Sequence, residues 1–485
     1  MTKHLKSLRN LALIMALLCV YSISFAQVAE GEDEDVNQYG VTVSSFPLKA
    51  TAQNNILVLG NKEKGYKFWM DNRVQFDGAH YFNLKNGMLD ANGEPYMVGG
   101  VSMRRVRLAA KAQVTKNWYG EVDVNFANGV FELEDAYVMY SGLKGFEFKA
   151  GNFKEDFSMD QTTTSRYSTF MERPMVVQMF APSRHIGIQA QWIGVDWFRI
   201  SFGASWQLID NADTRLNVEE FNKQGKGMGT NFTGKVVWMP KDFLGIDRLH
   251  IGYNGSYRHA KKTDDNVDGA TALGRGYEGN YFSTRNSTAI SRLKFISVEY
   301  YGVKYDYLHG AEFAGYKDGF RFQSECIMNH SVMDPEHPRL SKHKLAKETK
   351  FFWGYYLQAS YMLFGGKQRY DVTQSEFTQP TRGRSWGDIE VMARWDYVNL
   401  NSQELYGGAG QNLALGMVYH VNNNVKIMLN YQWAKNDKYA GNKGKAVIGR
   451  DADGNYTAAT SGPNAAVSDF GVRFNTIQAR IEIDF

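Results

Sequence analysis

The segment GNFKEDFSMDQTTTSRYSTFMERPMVVQMFAPSRHIG (Gly151–Gly187) joins two stretches in which apolar and polar residues alternate, Lys144–Asn152 and Arg184–Trp192. Such alternation is typical of β-strands. About thirty residues between two strands are far more than a hairpin needs, and connections of that length are usually functional or disordered. Disorder is disfavoured because the segment is rich in Phe, Met and Val, which need burial. The segment therefore predicts an all-β barrel with a loop, residues 153–183, folded into the space that the strands enclose.

The first 26 residues have the pattern of a secretory signal peptide. Three basic residues precede the apolar stretch Leu11–Val20, which is too short to span a bilayer, and Ser24-Phe25-Ala26 supplies a small-x-small cleavage site. We expect residues 1–26 to be removed from the mature chain. Without these three basic residues the chain keeps 52 Lys and Arg against 51 Asp and Glu, a net charge of +1. Only the local placement of charges can therefore argue for an anionic partner.

Residues 27–64 are predicted to form a periplasmic lead-in, whose acidic run is either a solvated tail or a motif that recruits a periplasmic partner. After residue 64 the pattern turns to period two, and no run of 18 apolar residues offers a transmembrane helix. Many aromatic residues in a chain of low mean hydropathy are typical of transmembrane barrels. We predict a transmembrane antiparallel β-barrel over residues 65–485. It is expected to have about sixteen strands, at 66–82, 100–115, 117–126, 131–140, 144–152, 184–194, 196–206, 228–240, 246–260, 295–308, 318–332, 351–364, 386–399, 411–421, 424–434 and 471–485.

The last predicted strand gives the clearest assignment of faces. Ile477, Ile481 and Ile483 alternate with polar residues such as Arg480 and Glu482, so the first set should face lipid and the second the lumen. Short connections are expected on the periplasmic side and long ones outside. Two connections do not follow this rule. The connection at residues 365–385 is long where a short turn is expected, and the connection at residues 127–130 is short where a long loop is expected.

A resemblance to a known family is carried by the central run GVSMRRVRLAAKAQVTKNWYGEVDVNFANGVFELEDAYVMYSGLKGFEFKAGNFKEDFSMDQTTTSRYSTFMERPM. This run resembles the corresponding part of the phosphate-selective porin O and P family. Outside it the similarity is mainly architectural. The matching pieces are Arg104-Arg105, Trp118, Glu134-Asp135-Ala136, Gly151-x-Phe153, Phe157-Ser158, Thr164-Ser165-Arg166 and Glu172-Arg173.

The resemblance implies a homotrimer of sixteen-stranded barrels in the outer membrane, with the third extracellular loop folded into each lumen. It implies passive diffusion of small anions such as phosphate past cationic side chains. Arg105 matches a constriction arginine, Glu134 falls in an acidic pair of that zone, and Arg173 matches an arginine late in the loop. Gln161 stands where the family has a constriction lysine, which weakens the expectation of phosphate selectivity. Arg275 and Arg285 are candidates for the extracellular arginine series. The terminal Phe485 resembles the signal read by the barrel assembly machinery.

The residues themselves support anion handling, but leave alternatives open. Arg105, Arg107 and Lys111 point inward by parity, and a guanidinium group matches the geometry of phosphate or carboxylate. The two arginines could instead pair with wall carboxylates and close the barrel. Arg166 and Arg173 could likewise line the anion path or tether the loop through its carboxylates. Those carboxylate candidates are Glu121, Asp123, Glu132 and Glu134 for the wall, and Glu155, Asp156 and Glu172 for the loop.

No catalytic or metal-binding pattern stands out in the sequence. The ten histidines have neither the spacing of a catalytic triad nor that of metal ligands, so no enzyme activity, cofactor or metal is predicted. The expected partners are outer-membrane lipid and small anionic solutes, and no nucleic acid. Two alternatives to an anion channel stay open: a general, non-selective porin, and an occluded barrel that only displays its surface loops.

Overall fold

The computed structural model of the chain consists almost entirely of β-strands. The signal peptide predicted for residues 1–26 and the candidate Arg275 lie outside the described residues. Among the described residues, no helix is long and apolar enough to cross a membrane. The structure describes residues 34–37, 39–84, 95, 97–206, 230–259, 279–336, 347–403, 405–437, 439–440, 447–450, 456–458 and 472–485.

The described elements comprise strands, two short α-helices and one turn of 3₁₀-helix at Ala127–Gly129. The α-helices are α1 (Met159–Thr162) and α2 (Met175–Phe180). The strands are β1 (Glu34–Val36), β2 (Thr42–Ser44), β3 (Lys49–Gln53), β4 (Ile56–Asn61), β5 (Tyr66–Met70), β6 (Arg73–Phe82), β7 (Gly99–Gln113), β8 (Trp118–Asn125), β9 (Glu132–Tyr140), β10 (Phe146–Lys154), β11 (Arg184–Val195), β12 (Phe198–Ser205), β13 (Asn231–Trp238), β14 (Lys241–Phe243), β15 (Ile246–His259), β16 (Gly279–Thr284), β17 (Ile296–Tyr301), β18 (Val303–Lys317), β19 (Phe320–Met333), β20 (Lys350–Met362), β21 (Arg369–Asp371), β22 (Glu376–Thr378), β23 (Asp388–Ser402), β24 (Leu405–His420), β25 (Val425–Asn436), β26 (Val447–Arg450), β27 (Tyr456–Ala458) and β28 (Arg473–Asp484).

Sixteen of these strands form a closed antiparallel barrel, which confirms the predicted fold class. The ring closes where β28 pairs with β6, from Asn475 opposite Phe82 to Asp484 opposite Arg73. Closure leaves no free edge along the wall, so every strand finds hydrogen-bond partners on both sides. The sixteen strands are β6, β7, β8, β9, β10, β11, β12, β13, β15, β18, β19, β20, β23, β24, β25 and β28.

The two faces of β28 differ sharply in exposure. Ile477, Ile481 and Ile483 are 45%, 53% and 42% exposed, whereas Arg480 and Glu482 are 2% and 1% exposed. The apolar side chains thus cover the outside of the barrel and the polar ones point inward, as the alternation predicts. The inward polar side chains are packed against other groups rather than bathed in solvent, which the sequence alone did not indicate.

One predicted strand is wrong. The sequence places a strand at residues 295–308, but Ile296–Tyr301 form β17 and pair with β16 in a hairpin outside the barrel ring. Gly302 follows with φ +80°, a left-handed conformation that glycine adopts easily and that ends the strand. The barrel strand β18 then runs from Val303 to Lys317. Both stretches alternate, so periodicity alone could not separate a loop hairpin from a wall strand.

Three N-terminal strands extend the sheet at one rim. β5 pairs with the end of β7, with Lys67 opposite Gln113 and Met70 opposite Ala110. β3 and β4 join the same sheet, although the sequence assigns their residues to the lead-in. The turn between them is held against the turn before β25, where the Asn55 amide donates to the Asn424 oxygen at 2.8 Å. Strands β1 and β2 form a separate two-stranded unit.

The connection between β10 and β11, residues 155–183, is called segment L3 below. Its apolar side chains are almost fully buried, as its composition predicts. In α2, Met175 and Val176 are 0% exposed and belong to one cluster with Phe352 of β20 and Val398 of β23. In α1, Met159 belongs to another cluster. L3 therefore buries its apolar surface against several distant strands of the barrel.

Candidate functional site

A chamber of about 290 Å³ lies between L3 and the wall strands β7 to β12. Its lining is charged, with ten cationic and six anionic side chains. The excess of cations is local, since the mature chain is expected to carry a net charge of only +1. The cations are Arg73, Arg105, Arg107, Lys111, Lys149, Lys154, Arg166, Arg173, Arg184 and Arg199; the anions are Asp71, Glu121, Asp123, Asp135, Asp156 and Glu376.

A second cavity of about 230 Å³, called the vestibule, is also lined by residues of L3. It is lined by Arg104, Arg285 and Lys294 and by one carboxylate, Glu172. Arg285 and Lys294 come from the connection between β16 and β17. Gln161 and Arg173 line both the vestibule and the chamber. These two side chains of L3 therefore form a shared boundary of the two cavities, called the junction below.

Arg105 and Arg107 have different surroundings, although both point inward as predicted. The Nη1 of Arg105 donates to the Gln75 oxygen at 2.7 Å, and Arg105 forms no ion pair with a described residue. Arg107 pairs with Asp123 at 3.3 Å and also with Glu134. The wall-closing interpretation thus fits Arg107 and not Arg105.

Lys111 and Glu134 are also engaged in wall pairs. The ammonium of Lys111 lies 2.8 Å from Asp71 and 3.4 Å from Glu121. Glu134 contacts both Arg107 and Arg184, and it does not line the chamber. Its neighbour in sequence, Asp135, lines the chamber and pairs with Arg184 at 2.7 Å. The acidic pair therefore neutralises wall arginines.

The loop arginines fall into two groups. Arg166 reaches the barrel wall, where it pairs with Asp71 and, at 3.1 Å, with Asp484. Arg173 donates to backbone carbonyls within L3, at 3.0 Å to both Asp160 and Thr163. Arg166 thus tethers L3 to the wall, whereas Arg173 stiffens L3 and keeps its guanidinium at the junction of the two cavities.

Wall arginines hold the carboxylates of L3. Arg104 donates to both oxygens of Glu172 at 2.6 and 3.1 Å, and Arg480 lies 3.4 Å from the same carboxylate. Burial by itself would raise the pKa of Glu172, but the two arginines lower it below its ordinary range. Glu155 pairs with Arg258 at 3.0 Å in a similar way. Among the described residues, these loop carboxylates are therefore paired with basic side chains of the wall, and not with Arg166 or Arg173 as the sequence suggested.

Sequence reasoning missed two lysines of the chamber. Lys149 lies 4.7 Å from the centre of the Tyr137 ring and 5.3 Å from that of Phe153. Lys154 donates to the carbonyls of Thr162 and Thr163 at 3.2 and 3.4 Å. Neither lysine forms an ion pair with a described residue. Lys149 could have been found from the alternation in Phe146–Lys154, which places it on the inward face.

Three carboxylates of the chamber lie close enough together to hold a cation. One oxygen each of Glu121, Asp123 and Asp135 fall within 4.8 Å of one another. Each of them already contacts a basic side chain, namely Lys111, Arg107 and Arg184. The cluster is thus better described as the acidic half of a wall network than as a metal site.

Known proteins resemble the chain over most of its length. It is 24% identical over 423 residues to Porin O of Pseudomonas aeruginosa, covering 80% of this chain and 87% of that protein. It is 23% identical over 363 residues to a protein of Caulobacter vibrioides, covering 74% of this chain and 66% of the relative. The anion-selective porin from Comamonas acidovorans superimposes with a TM-score of 0.47 and 12% identity, over 87% of this chain and 100% of the other.

A family model matches most of the barrel. The model for phosphate-selective porin O and P covers residues 71–459, which is well over half of the chain. The match includes the chamber strands and all of L3. It accords with a channel rather than an enzyme, located in the bacterial outer membrane. The chain therefore belongs to the phosphate-selective porin O and P family.

Proposed function

We propose that the protein lets small anions, phosphate among them, diffuse passively through the barrel. The observation that carries this proposal is the charge of the chamber, where ten cationic side chains face six anionic ones. Three of these cations, Arg105, Lys149 and Lys154, form no ion pair with a described residue. A ring of uncompensated charge in a narrow pore sets ion preference, provided that binding is weak enough for release.

We further propose that L3 lies in the lumen and narrows it. The contacts of L3 reach strands on several sides of a closed ring. Arg480 of β28 donates to the Met171 carbonyl at 2.8 Å, and Arg394 of β23 donates to the Glu172 carbonyl at 2.9 Å. A connection that touches the inward faces of such distant strands is best accommodated inside the barrel.

The narrowest passage is proposed to lie at Gln161 and Arg173. These are the side chains that line both cavities, so a solute passing from the vestibule to the chamber would meet them. Arg173, whose Nε lies 3.6 Å from the Asp160 carboxylate, supplies a positive charge there, and Gln161 supplies neutral hydrogen-bonding groups. With one cation at this point, a doubly charged anion is held less firmly than it would be between two. We therefore expect a mild preference for anions and only weak block by phosphate.

The remaining features of the assembly are proposals that rest on the family. A homotrimer is proposed from the family, and its interface is proposed to lie on the wall that contains the short strands β8, β9 and β10, with 8, 9 and 9 residues, and β12 and β13, with 8 each, against 16 in β24. Exposed apolar side chains on this wall include Val122, Val138 and Phe148. Phe485, half exposed at the chain end, remains the proposed signal for barrel assembly. The signal peptide at residues 1–26 remains a prediction.

Conductance in planar lipid bilayers tests the proposed function. A purified channel under a potassium chloride gradient should give a reversal potential that reports anion preference. A reversal potential near zero would indicate a general porin, and one of the opposite sign would mean that the wall carboxylates govern the pore. Absence of any current would favour the occluded display barrel, for which the extensive packing of α2 against the wall is the supporting observation.

A further inference from the structure

The connection between β20 and β23 carries a hairpin, β21–β22, at the rim where the other connections are mostly short turns. The hairpin folds toward the barrel interior rather than away from it. Phe377 is 1% exposed and packs with Met159 of L3 and Ala314 of β18. The Tyr370 hydroxyl lies 2.6 Å from the Nδ1 of His250, a fully buried residue of β15. The hairpin is therefore fixed to both the wall and L3.

This anchoring brings a carboxylate into a mainly cationic chamber. Gln374 and Glu376 of the hairpin line the chamber together with Lys154. Lys154 donates to two backbone carbonyls and forms no ion pair with a described residue. Burial raises the pKa of the Glu376 carboxyl to about 7, and the positive charge of Lys154 counteracts part of that rise.

We propose that Glu376 sets how strongly the chamber attracts anions, by competing with the passing anion for Lys154. When Glu376 is ionised it offers Lys154 a counter-charge within the protein. When it is protonated or replaced by a neutral residue, the charge of Lys154 becomes available to the solute. This inference rests on the proposed anion channel and adds a control point within the chamber.

The other charges near Glu376 act on the same equilibrium. Asp371 of the same hairpin disfavours its ionised form, and Lys235 of β13 favours it. Lys154 in turn interacts electrostatically with three further charged groups around the chamber, Arg173, Arg184 and Asp135. These groups belong to L3 and to the wall strands, so they stay in place when the hairpin residue is changed.

The test compares Glu376→Gln with the unmodified channel by reversal potential in potassium chloride, whose ions do not titrate, at pH 5.5 and pH 8.5. One charge about 10 Å from an ion in water changes its population about twofold. We expect the anion-to-cation permeability ratio of the unmodified channel to fall about twofold at the higher pH. Between the two pH values the ratio of Glu376→Gln should fall less than that of the unmodified channel. Asp318→Asn is the matched control, because Asp318 is an exposed carboxylate of the same rim that pairs with Lys367 outside the chamber.

The outcomes separate this inference from the proposed function. An unmodified channel without anion preference at either pH would refute the anion channel itself. Anion preference that Glu376→Gln leaves unchanged would refute only the role of Glu376. Lys154→Gln should lower the ratio, and adding Glu376→Gln to it should bring no further gain; an additive gain would refute competition for Lys154. Should Glu376→Gln fail to fold, Gln374→Glu should lower the ratio, and an unchanged ratio would overturn the proposal.

Discussion

Replacing Gln161 by lysine tests the proposed constriction most directly. Gln161 follows Asp160 in α1, and its side chain lines both the vestibule and the chamber beside Arg173. Gln161→Lys places a second positive charge at the junction without removing a wall contact, because the bond from its backbone N–H to the Ser158 hydroxyl at 3.2 Å does not involve the side chain. Gln161→Met has a similar length and no charge, and is the matched control.

The magnitude follows from Coulomb's law. An anion about 4 Å from the new ammonium gains about 1 kcal/mol per unit charge in water and about 4 kcal/mol at an effective dielectric of 20. Sulfate, with two charges at all relevant pH values, gains twice as much as chloride. Even at the aqueous limit the difference of about 1 kcal/mol favours sulfate about fivefold. High salt should reduce the effect, since the screening length falls to about 3 Å at 1 M.

The assay is the block of single-channel chloride current by added sulfate. We expect Gln161→Lys to lower the sulfate concentration for half block at least about fivefold, and Gln161→Met to leave it close to that of the unmodified channel. Equal block in the two variants would show that the effect is not electrostatic. Unchanged block in both would mean that the anion does not pass Gln161, and the proposed constriction would be in the wrong place.

Three further predictions concern the wall and L3. Ile481→Arg places a charge on the outer face of β28 and should destabilise the inserted barrel by about 1–4 kcal/mol, depending on its depth in the bilayer, as measured by heat-modifiable gel mobility. Deletion of Asp160–Glu172 should enlarge single-channel conductance, and unchanged conductance would place L3 outside the pore. Glu172→Gln should weaken the bonds from Arg104 and make the current noisier. Because the folded pKa of Glu172 is lowered, its anchoring contribution is present above the unfolded pKa of about 4.3 and is lost only as the pH falls through the lower folded value. The single-channel current of the unmodified channel should therefore show no increase in noise between pH 8 and pH 5.

The period-two pattern was sufficient to predict the barrel, but not the state of its inner face. Alternation in β28 correctly separates Ile481 from Glu482. It does not reveal that Glu482 is 1% exposed, with its carboxylate 3.2 Å from the Lys426 ammonium. Substituting such a residue would leave a buried charge without its partner, which is costly. The lumen wall thus has many positions that tolerate change poorly, and parity cannot identify them.

Local sequence patterns also do not predict contacts between segments from distant parts of the chain. The length of residues 365–385 marked them as unusual, yet no motif indicates that Phe377 packs on Met159 of L3. The strand prediction at 295–308 was wrong for a related reason. Part of this stretch forms β17, and its pairing with β16 cannot be read from either segment alone. Such contacts depend on the shape of the closed barrel, which exists only once all sixteen strands have paired.

The ion pairs of the chamber bear directly on selectivity. A guanidinium that already contacts a carboxylate still donates to a passing anion through its free N–H groups, but the field of the pair falls off faster than that of a single charge. Arg107 and Arg184, each bound by two carboxylates, should therefore matter less than their number suggests. Arg105 contacts a neutral amide, and Lys149 and Lys154 contact rings and carbonyls, so none of the three is paired with a described carboxylate. If the channel prefers anions, these three side chains should account for most of that preference, and Arg105→Gln should reduce it more than Arg107→Gln does.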